Sequence, residues 1–324
     1  TKQTQVLASG KHIVLAQNSN DRYRPGLTLS WFDATGVKRR EKTYSFGASA
    51  SVSSTGIAVI TDNVEGVGEF IHVVDASGEA LNKVKPFEAG YSVALVENSR
   101  DFIIVLALPD EPFPQQGKVI VLTPDSGKLV REFPLPLHNP TKLVSMDNTL
   151  AIHDEWVDPE TSNFHSDLLI VDTAGSLIRS LQEYAHQIAL DTERSQILIA
   201  GKQSLKAMNY LTANLAWEVL YTNLYQRKKL NKPQDIPAGF DLYPLQLILF
   251  PEKQLLALSL GQSSVNPNHP KYDTELYLLD LQSGERLTDM YLGQRNAHLS
   301  LTPHRDGFDV ADDKGMSSYR IDTK

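Results

Sequence analysis

One short pattern returns along most of the chain: an apolar run, an Asp or a polar neighbour of it, then a Ser/Thr/Ala-Gly turn. The copies are Leu27-Thr-Leu-Ser-Trp-Phe-Asp-Ala-Thr-Gly36, Phe70-Ile-His-Val-Val-Asp-Ala-Ser-Gly78, Val119-Ile-Val-Leu-Thr-Pro-Asp-Ser-Gly127, Leu168-Leu-Ile-Val-Asp-Thr-Ala-Gly175 and Leu276-Tyr-Leu-Leu-Asp-Leu-Gln-Ser-Gly284. A degenerate copy, Leu205-Lys-Ala-Met-Asn-Tyr-Leu-Thr-Ala-Asn214, stands before the last. The turn positions 36, 78, 127, 175, 214 and 284 are 42, 49, 48, 39 and 70 residues apart. A period in the forties is the mark of a repeat architecture and constrains the fold more than any other property of the chain. Each copy reads as a β-hairpin, because apolar and β-branched residues lead into a turn where Asp and Gly supply conformations other residues resist. A second hairpin precedes each copy, as in Ser92–Val105 and Gln187–Ile199. Four short strands per period predict a propeller blade. The third strand of each unit is apolar at nearly every position instead of alternating, as expected of a strand covered on both faces by neighbouring blades.

Other architectures fit poorly. Gly or Pro interrupts every segment of helical length, and there is no room between successive strands for the crossover helices of a parallel sheet. A parallel solenoid is a weaker rival, because the turns read as hairpins. The prediction is an all-β chain, a single seven-bladed β-propeller domain over 1–324 with four-stranded antiparallel blades. The blades fall at about 4–46, 47–88, 89–136, 137–184, 185–243, 244–293 and 294–324, with an insertion at 221–243. The last blade stops where its fourth strand should begin. Either it has three strands, or the N-terminal strand around Gln5-Val-Leu-Ala8 closes it and blade one is the short one.

Composition excludes several functions. The 324 residues contain no cysteine, which removes disulfide scaffolds, thiolate metal sites and Cys nucleophiles. With 39 Asp+Glu against 31 Lys+Arg the net charge is −8, a poor balance for neutralising nucleic-acid phosphates. The longest apolar run, Phe102–Leu108, is far short of a membrane-spanning helix. The first residues lack the apolar core of a signal peptide and begin without Met, so the chain is expected to be a mature or trimmed form, periplasmic or secreted, with a cytoplasmic location as the alternative.

The Asp-x-x-Ser/Thr-Gly hairpin repeat resembles that of bacterial seven-bladed propellers of the YVTN and quinoprotein-like group, related in shape to WD40 propellers. The resemblance covers nearly the whole chain, and its motif is a turn signature. The Gly-His and Trp-Asp pairs of WD40 repeats are lacking. Trp31, Trp156 and Trp217 occupy unrelated repeat positions, unlike the regular Trp of quinoprotein dehydrogenases, so no quinone cofactor is expected.

Candidate sites gather in the long loops after the second strands: 18–26, 109–117, 153–167 and 263–273. These loops, with those after the fourth strands, share one face of the blades, and that face is expected to be functional. The segment from His153 to His165 is the densest cluster of ligating groups. His153, Asp154, Glu155 and Asp158 could hold a divalent cation such as Ca or Mn, and Trp156 could stack on a sugar or ring. The spacing matches no established metal motif, and a solvated acidic loop is the plainer reading. His269 and Tyr272, held among prolines, and Arg22, Tyr23 and Arg24, which could clamp an anion, are further ligand-binding candidates, each weighed against an ordinary surface loop. Arg227, Lys228, Lys229 and Lys232 form a basic cluster in the insertion, either a docking segment for an acidic partner or a solvated loop. No nucleophile elbow or phosphate loop occurs. The sequence therefore predicts a monomeric, non-enzymatic binding or scaffold protein with a protein partner, no cofactor, no nucleic acid and no transmembrane segment. The alternative is a propeller hydrolase or lyase, metal-dependent or not, with its site at the channel mouth.

Overall fold

The computed structural model describes residues 3–8, 12–19, 26–33, 35–45, 48–53, 56–64, 68–84, 90–99, 101–110, 116–224, 242–263, 272–295, 300–304, 307–312 and 315–321. They form seven antiparallel sheets, each a meander whose strands pair in sequence order. Sheet one holds β1–β4 (Gln3–Ala8, His12–Ser19, Gly26–Asp33, Lys38–Tyr44), and sheet two β5–β8 (Ser49–Val52, Ala58–Val64, Gly68–Val74, Ala80–Val84). Sheet three holds β9–β12 (Tyr91–Asn98, Ile103–Pro109, Gly117–Leu122, Leu129–Leu135), and sheet four β13–β16 (Pro140–Met146, Thr149–Val157, Phe164–Asp172, Leu177–Gln182). Sheet five holds β17–β20 (Gln187–Asp191, Gln196–Ala200, Ser204–Asn209, Leu215–Leu220), and sheet six β21–β24 (Leu242–Phe250, Leu255–Ser263, Tyr272–Asp280, Arg286–Arg295). Sheet seven holds β25–β27 (Ser300–His304, Gly307–Asp312, Gly315–Arg320). This is the all-β, bladed architecture of a propeller.

The chain divides into two compact units. The first comprises Thr1–Pro140, Thr173–Gly175 and His298–Lys324; the second comprises Thr141–Asp172 and Ser176–Ala297. Within the first unit β1 stays in its own four-stranded sheet and runs beside β25 and β26, so the N-terminal strand does not complete sheet seven. Of the two alternatives for closure, the three-stranded last sheet is the one observed among the described residues.

The central strands are buried on both faces, as the unbroken apolar runs predicted: Ile103, Ile104, Val105 and Leu106 of β10 and Val119, Ile120, Val121 and Leu122 of β11 are all at most 1% exposed. Each such side chain contributes about 1.5–3 kcal/mol on burial. Sheets pack in series through these faces. One apolar cluster joins sheets one and two through Leu29, Trp31, Ile60 and Val74, and another joins sheets five and six through Leu205, Trp217, Leu258 and Tyr277.

The repeated turn has two jobs. Its Asp holds the turn itself: Asp33 Oδ1 accepts from the Thr35 amide and hydroxyl (2.9 and 2.6 Å) and from the Val37 amide (3.1 Å). Asp75 and Asp280 do the same with Ser77 and Ser283, and in the degenerate copy Asn209 takes the Asp position, accepting from Leu211 and Thr212. Its Gly fits the turn against the preceding sheet. Gly78 and Gly284 have φ of +87° and +71°, and a Cβ on either would come within 3.0 Å of the preceding sheet's side chains, the Arg40 stem for Gly78 and the Trp217 ring for Gly284. Hydrogen bonds reinforce the contact: Asn82 Nδ2 donates to Ser126 O (2.7 Å) and Trp217 Nε1 to Leu281 O (3.1 Å). The signature read as a hairpin marker is thus also the seam between successive blades.

Candidate functional site

The second and third strands of sheet four reach further than its other strands. The sequence placed a loop from His153, but β14 continues to Val157 and β15 begins at Phe164, so only 158–163 connect them. Strand pairing persists to the tip, Trp156 opposite His165 and Val157 opposite Phe164. Asp158 rigidifies the connection: its carboxylate accepts from the Glu160 amide (2.8 Å) and the Thr161 hydroxyl (2.7 Å). These bonds, led by the one from the Thr161 hydroxyl, hold its pKa below the usual carboxylate value. On one face of the tip the Trp156 and His165 rings stack, with centroids 4.3 Å apart, and Trp156 Nε1 donates to Asp167 Oδ2 (3.3 Å). On the other, Val157 and Phe164 stand 59% and 58% exposed.

The strand geometry disperses the proposed metal ligands. Successive residues of β14 face opposite sides, so His153 and Glu155 share one face and Asp154 takes the other, while Asp158 is engaged in its own turn. His153 is fully buried, its Nδ1 2.7 Å from Thr141 Oγ1 and its Nε2 2.9 Å from Ser166 Oγ and 3.3 Å from the Ala185 amide. With the proton assigned to Nδ1, Nε2 accepts from the Ala185 amide, while the Ser166 hydroxyl beside it donates to the Glu183 carbonyl (3.0 Å). Burial lowers its pKa, opposed by the Glu183 carbonyl and the Asp154 and Asp167 carboxylates. His153 therefore ties the 183–186 connection to sheet four as a neutral group. Among the described residues no three His, Asp or Glu side chains are grouped to hold a metal ion.

Next to this hairpin lies a cleft of about 710 Å³ between sheets four and five of the second unit. One wall is Asn163–Asp167 with Gln182, Glu183 and Tyr184, and the other is Ile199, Gly201, Lys202, Ser204 and Lys206. Lys206 pairs with Glu183 at 3.0 Å, and Ser204 Oγ donates to Glu218 Oε1 (2.6 Å). Lys202 lies over the Tyr184 ring, 4.9 Å from its centroid. His186 meets the Tyr184 ring edge-on at 5.0 Å, and burial, then Lys142 and Lys202, lower its pKa. The cleft is at the end of the sheets that carries the second-to-third-strand loops and the links between blades, the end expected to be functional.

Of the sequence candidates, Trp156 is brought to the rim of this cleft through its stack with His165, and His153 lies beneath it. Arg22, Tyr23, Arg24, His269, Arg227, Lys228, Lys229 and Lys232 lie outside the described residues. Tyr272 is the first residue of β23, and its side chain is likewise outside the description. Sequence reasoning missed Glu183, Tyr184, Lys202 and Lys206, which come from connections and strands of two blades. The one signal for them is the unequal length of β15 and β16.

No protein-family model matches the sequence, and no curated protein does. The fold resembles a crystal structure of the computationally designed Ika8 protein at 13% identity, over 98% of this chain and 97% of that one, with a TM-score of 0.52. It also resembles a crystal structure of BamB from Moraxella catarrhalis at 14% identity, over 96% of this chain and 83% of that one, with a TM-score of 0.48. At these identities the likeness concerns the fold alone. The class defined is the β-propeller. No helix among the described residues is long and apolar enough to cross a membrane.

Proposed function

We propose that this chain is a non-enzymatic binding protein, a single seven-bladed propeller of the YVTN-like group that presents the loop-rich end of its blades to a protein partner. The observation that carries this reading is the rigid, protruding β14–β15 hairpin, with Val157 and Phe164 exposed at its tip beside a polar, half-open cleft. Other large apolar side chains are as exposed, Leu129 among them, and what favours this pair is that Val157 and Phe164 are cross-strand neighbours fixed together beside a cleft, an arrangement that suits a docking surface. The histidines here support the same reading: His153 is buried with both ring nitrogens engaged and is not free to exchange protons with a substrate, and His165, which lines the cleft, is stacked on Trp156. A periplasmic or secreted setting forms part of the proposal, and a chain without cysteine has no thiol to be oxidised there.

Photo-crosslinking in the source cells tests it. A benzoylphenylalanine placed at Phe164 should capture a protein partner, whereas the same probe at Lys128, in a turn at the opposite end of its blade, should not. Capture from Lys128 alone, or from neither position, would refute the proposal.

A further inference from the structure

In sheets three, five and six the third strand is matched by the fourth from its first residue: Gly117 with Leu135, Ser204 with Leu220 and Tyr272 with Arg295. In sheet two β7 begins at Gly68, three residues before its last pairing with β8, Ile71 with Val84, and residues 85–89 lie outside the described ones; sheet four has the same overhang with the link after it described. β16 ends at Gln182, opposite Asp167, and the chain then turns off through Glu183 and Tyr184 toward sheet five. Phe164, His165 and Ser166 of β15 are therefore paired on the β14 side and have no strand on the other, where only the Ser166 hydroxyl meets the departing chain, donating to the Glu183 carbonyl (3.0 Å). That open edge lines the 710 Å³ cleft. An unpaired extended edge inside a concave site is a template for strand addition, in which main-chain hydrogen bonds supply affinity and flanking side chains supply selectivity.

The flanking side chains indicate what would be selected. Phe164 offers an exposed ring at the start of the edge. Across the cleft Lys202 is exposed and, among the described residues, pairs with no carboxylate, while Lys206 is shared with Glu183. The slot's carboxylates are engaged, Glu183 with Lys206 and Asp167 with Trp156, which leaves Lys202 as the cation presented at its mouth. We infer that the open edge of β15 at Phe164–Ser166 takes an extended peptide segment of the partner, added antiparallel or parallel as a short continuation of β16, with an acidic side chain directed to Lys202 and an apolar one against Phe164. This inference rests on the reading of the chain as a protein-binding propeller and names the recognition element.

The test is selection of a displayed random heptapeptide library on the full chain. The expected result is enrichment of peptides carrying an acidic residue next to an apolar one. Their binding should weaken at least tenfold in Lys202→Glu and in Phe164→Asp, and recover when Lys202→Glu is paired with a Lys-for-acid change in the peptide. Both positions are exposed, so folding should be kept, and far-ultraviolet circular dichroism confirms it. Bound peptide should slow amide exchange within 164–166, at the alternate residues whose amides face away from β14. Peptides without the acidic feature, indifference to both substitutions, or binding of oligosaccharides from a glycan array in place of any peptide would overturn the inference. Crosslinking from Phe164 together with a failed selection would sink the strand-addition inference and leave the binding-protein reading standing, whereas no crosslinking at all would remove both.

Discussion

In the first unit the chain leaving sheet one is tied to sheet two by a carboxylate; in the second, the chain leaving sheet four is tied back to sheet four by an imidazole. Asp62, on the second strand of sheet two, accepts from the Ser45 amide (2.9 Å) and the Ser45 hydroxyl, and its Oδ2 stands 3.3 Å from His72 Nε2, short of a well-aligned hydrogen bond. His153, on the second strand of sheet four, receives the Ala185 amide. Both are buried polar groups that fix a link between blades. What differs is the strand pairing beside them. The third and fourth strands of sheet one are matched to within one residue at this end, from Leu27 and Tyr44, whereas β15 overhangs β16 by three. A buried polar side chain on a second strand, Asp62 or His153, thus ties a link between blades in both places, and the overhang of β15 is what separates sheet four from sheet one.

Four substitutions or conditions put this comparison under strain. The largest effect is expected from Asp62→Leu, which strips the Ser45 amide of its acceptor and removes a charged partner from His72; urea unfolding should show a loss of about 3 kcal/mol. His153→Leu leaves Thr141 and the Ala185 amide without their ring partner, and should cost about 2 kcal/mol in the same assay. If the two clusters were mere surface decoration, both changes would fall within about 0.5 kcal/mol of zero.

The third prediction separates the two by pH. Burial lowers the His153 pKa from its ordinary 6.5, so the unfolded chain binds more protons than the folded one just below that value. The stability His153 contributes is present above about 6.5 and declines as the pH falls toward its lowered folded pKa. A protonated Nε2 cannot accept from Ala185, so the protection factor of the Ala185 amide should fall as the pH drops below about 6.5 toward the lowered pKa. At Asp62 burial pushes the pKa up, and the hydrogen bonds from Ser45 and the His72 interaction outweigh it, so the net shift is downward. The Ser45 amide should keep its bond to Asp62 until the pH falls below about 4. Equal pH responses at Ala185 and Ser45 would break the distinction.

The smallest effect concerns the turns. Asp280 accepts from the Ser283 hydroxyl (2.7 Å) and from the Gln282 and Ser283 amides, and its pKa is lowered chiefly by the Ser283 hydroxyl. Asp280→Ala should cost about 1 kcal/mol near neutrality, and progressively less as the pH falls below about 4 toward the lowered pKa of the folded carboxylate. The sheet-five turn, built on Asn209, should show no such pH dependence.

The fold was legible because its signal is local. Each Asp and Gly of the repeat acts within a turn of a few residues, and even the degenerate copy carries an Asn able to make the same bonds. Strand β21 begins at Leu242, so Leu242 and Tyr243, read from the sequence as the end of the blade-five insertion, belong to sheet six. The site was legible only in part. The segment 153–165 was marked by its residue types, but those types misled: its histidine is a structural tie whose neighbours, Thr141, Ser166 and Ala185, sit on three different segments. The cleft depends on where β16 stops and on which side chains of the next blade face it. Tyr184, Lys202 and Lys206 carry no pattern of their own. They become a site only when two sheets are packed side by side.

The account turns on the end of sheets four and five being where a partner docks. Hydrogen–deuterium exchange of the full chain, alone and with the protein captured from Phe164, measures this directly. Slowed exchange concentrated in 163–167, 182–186 and 201–206 is the predicted result. Unchanged exchange there, with slowing in the opposite-end turns 192–195 and 210–214, would contradict it.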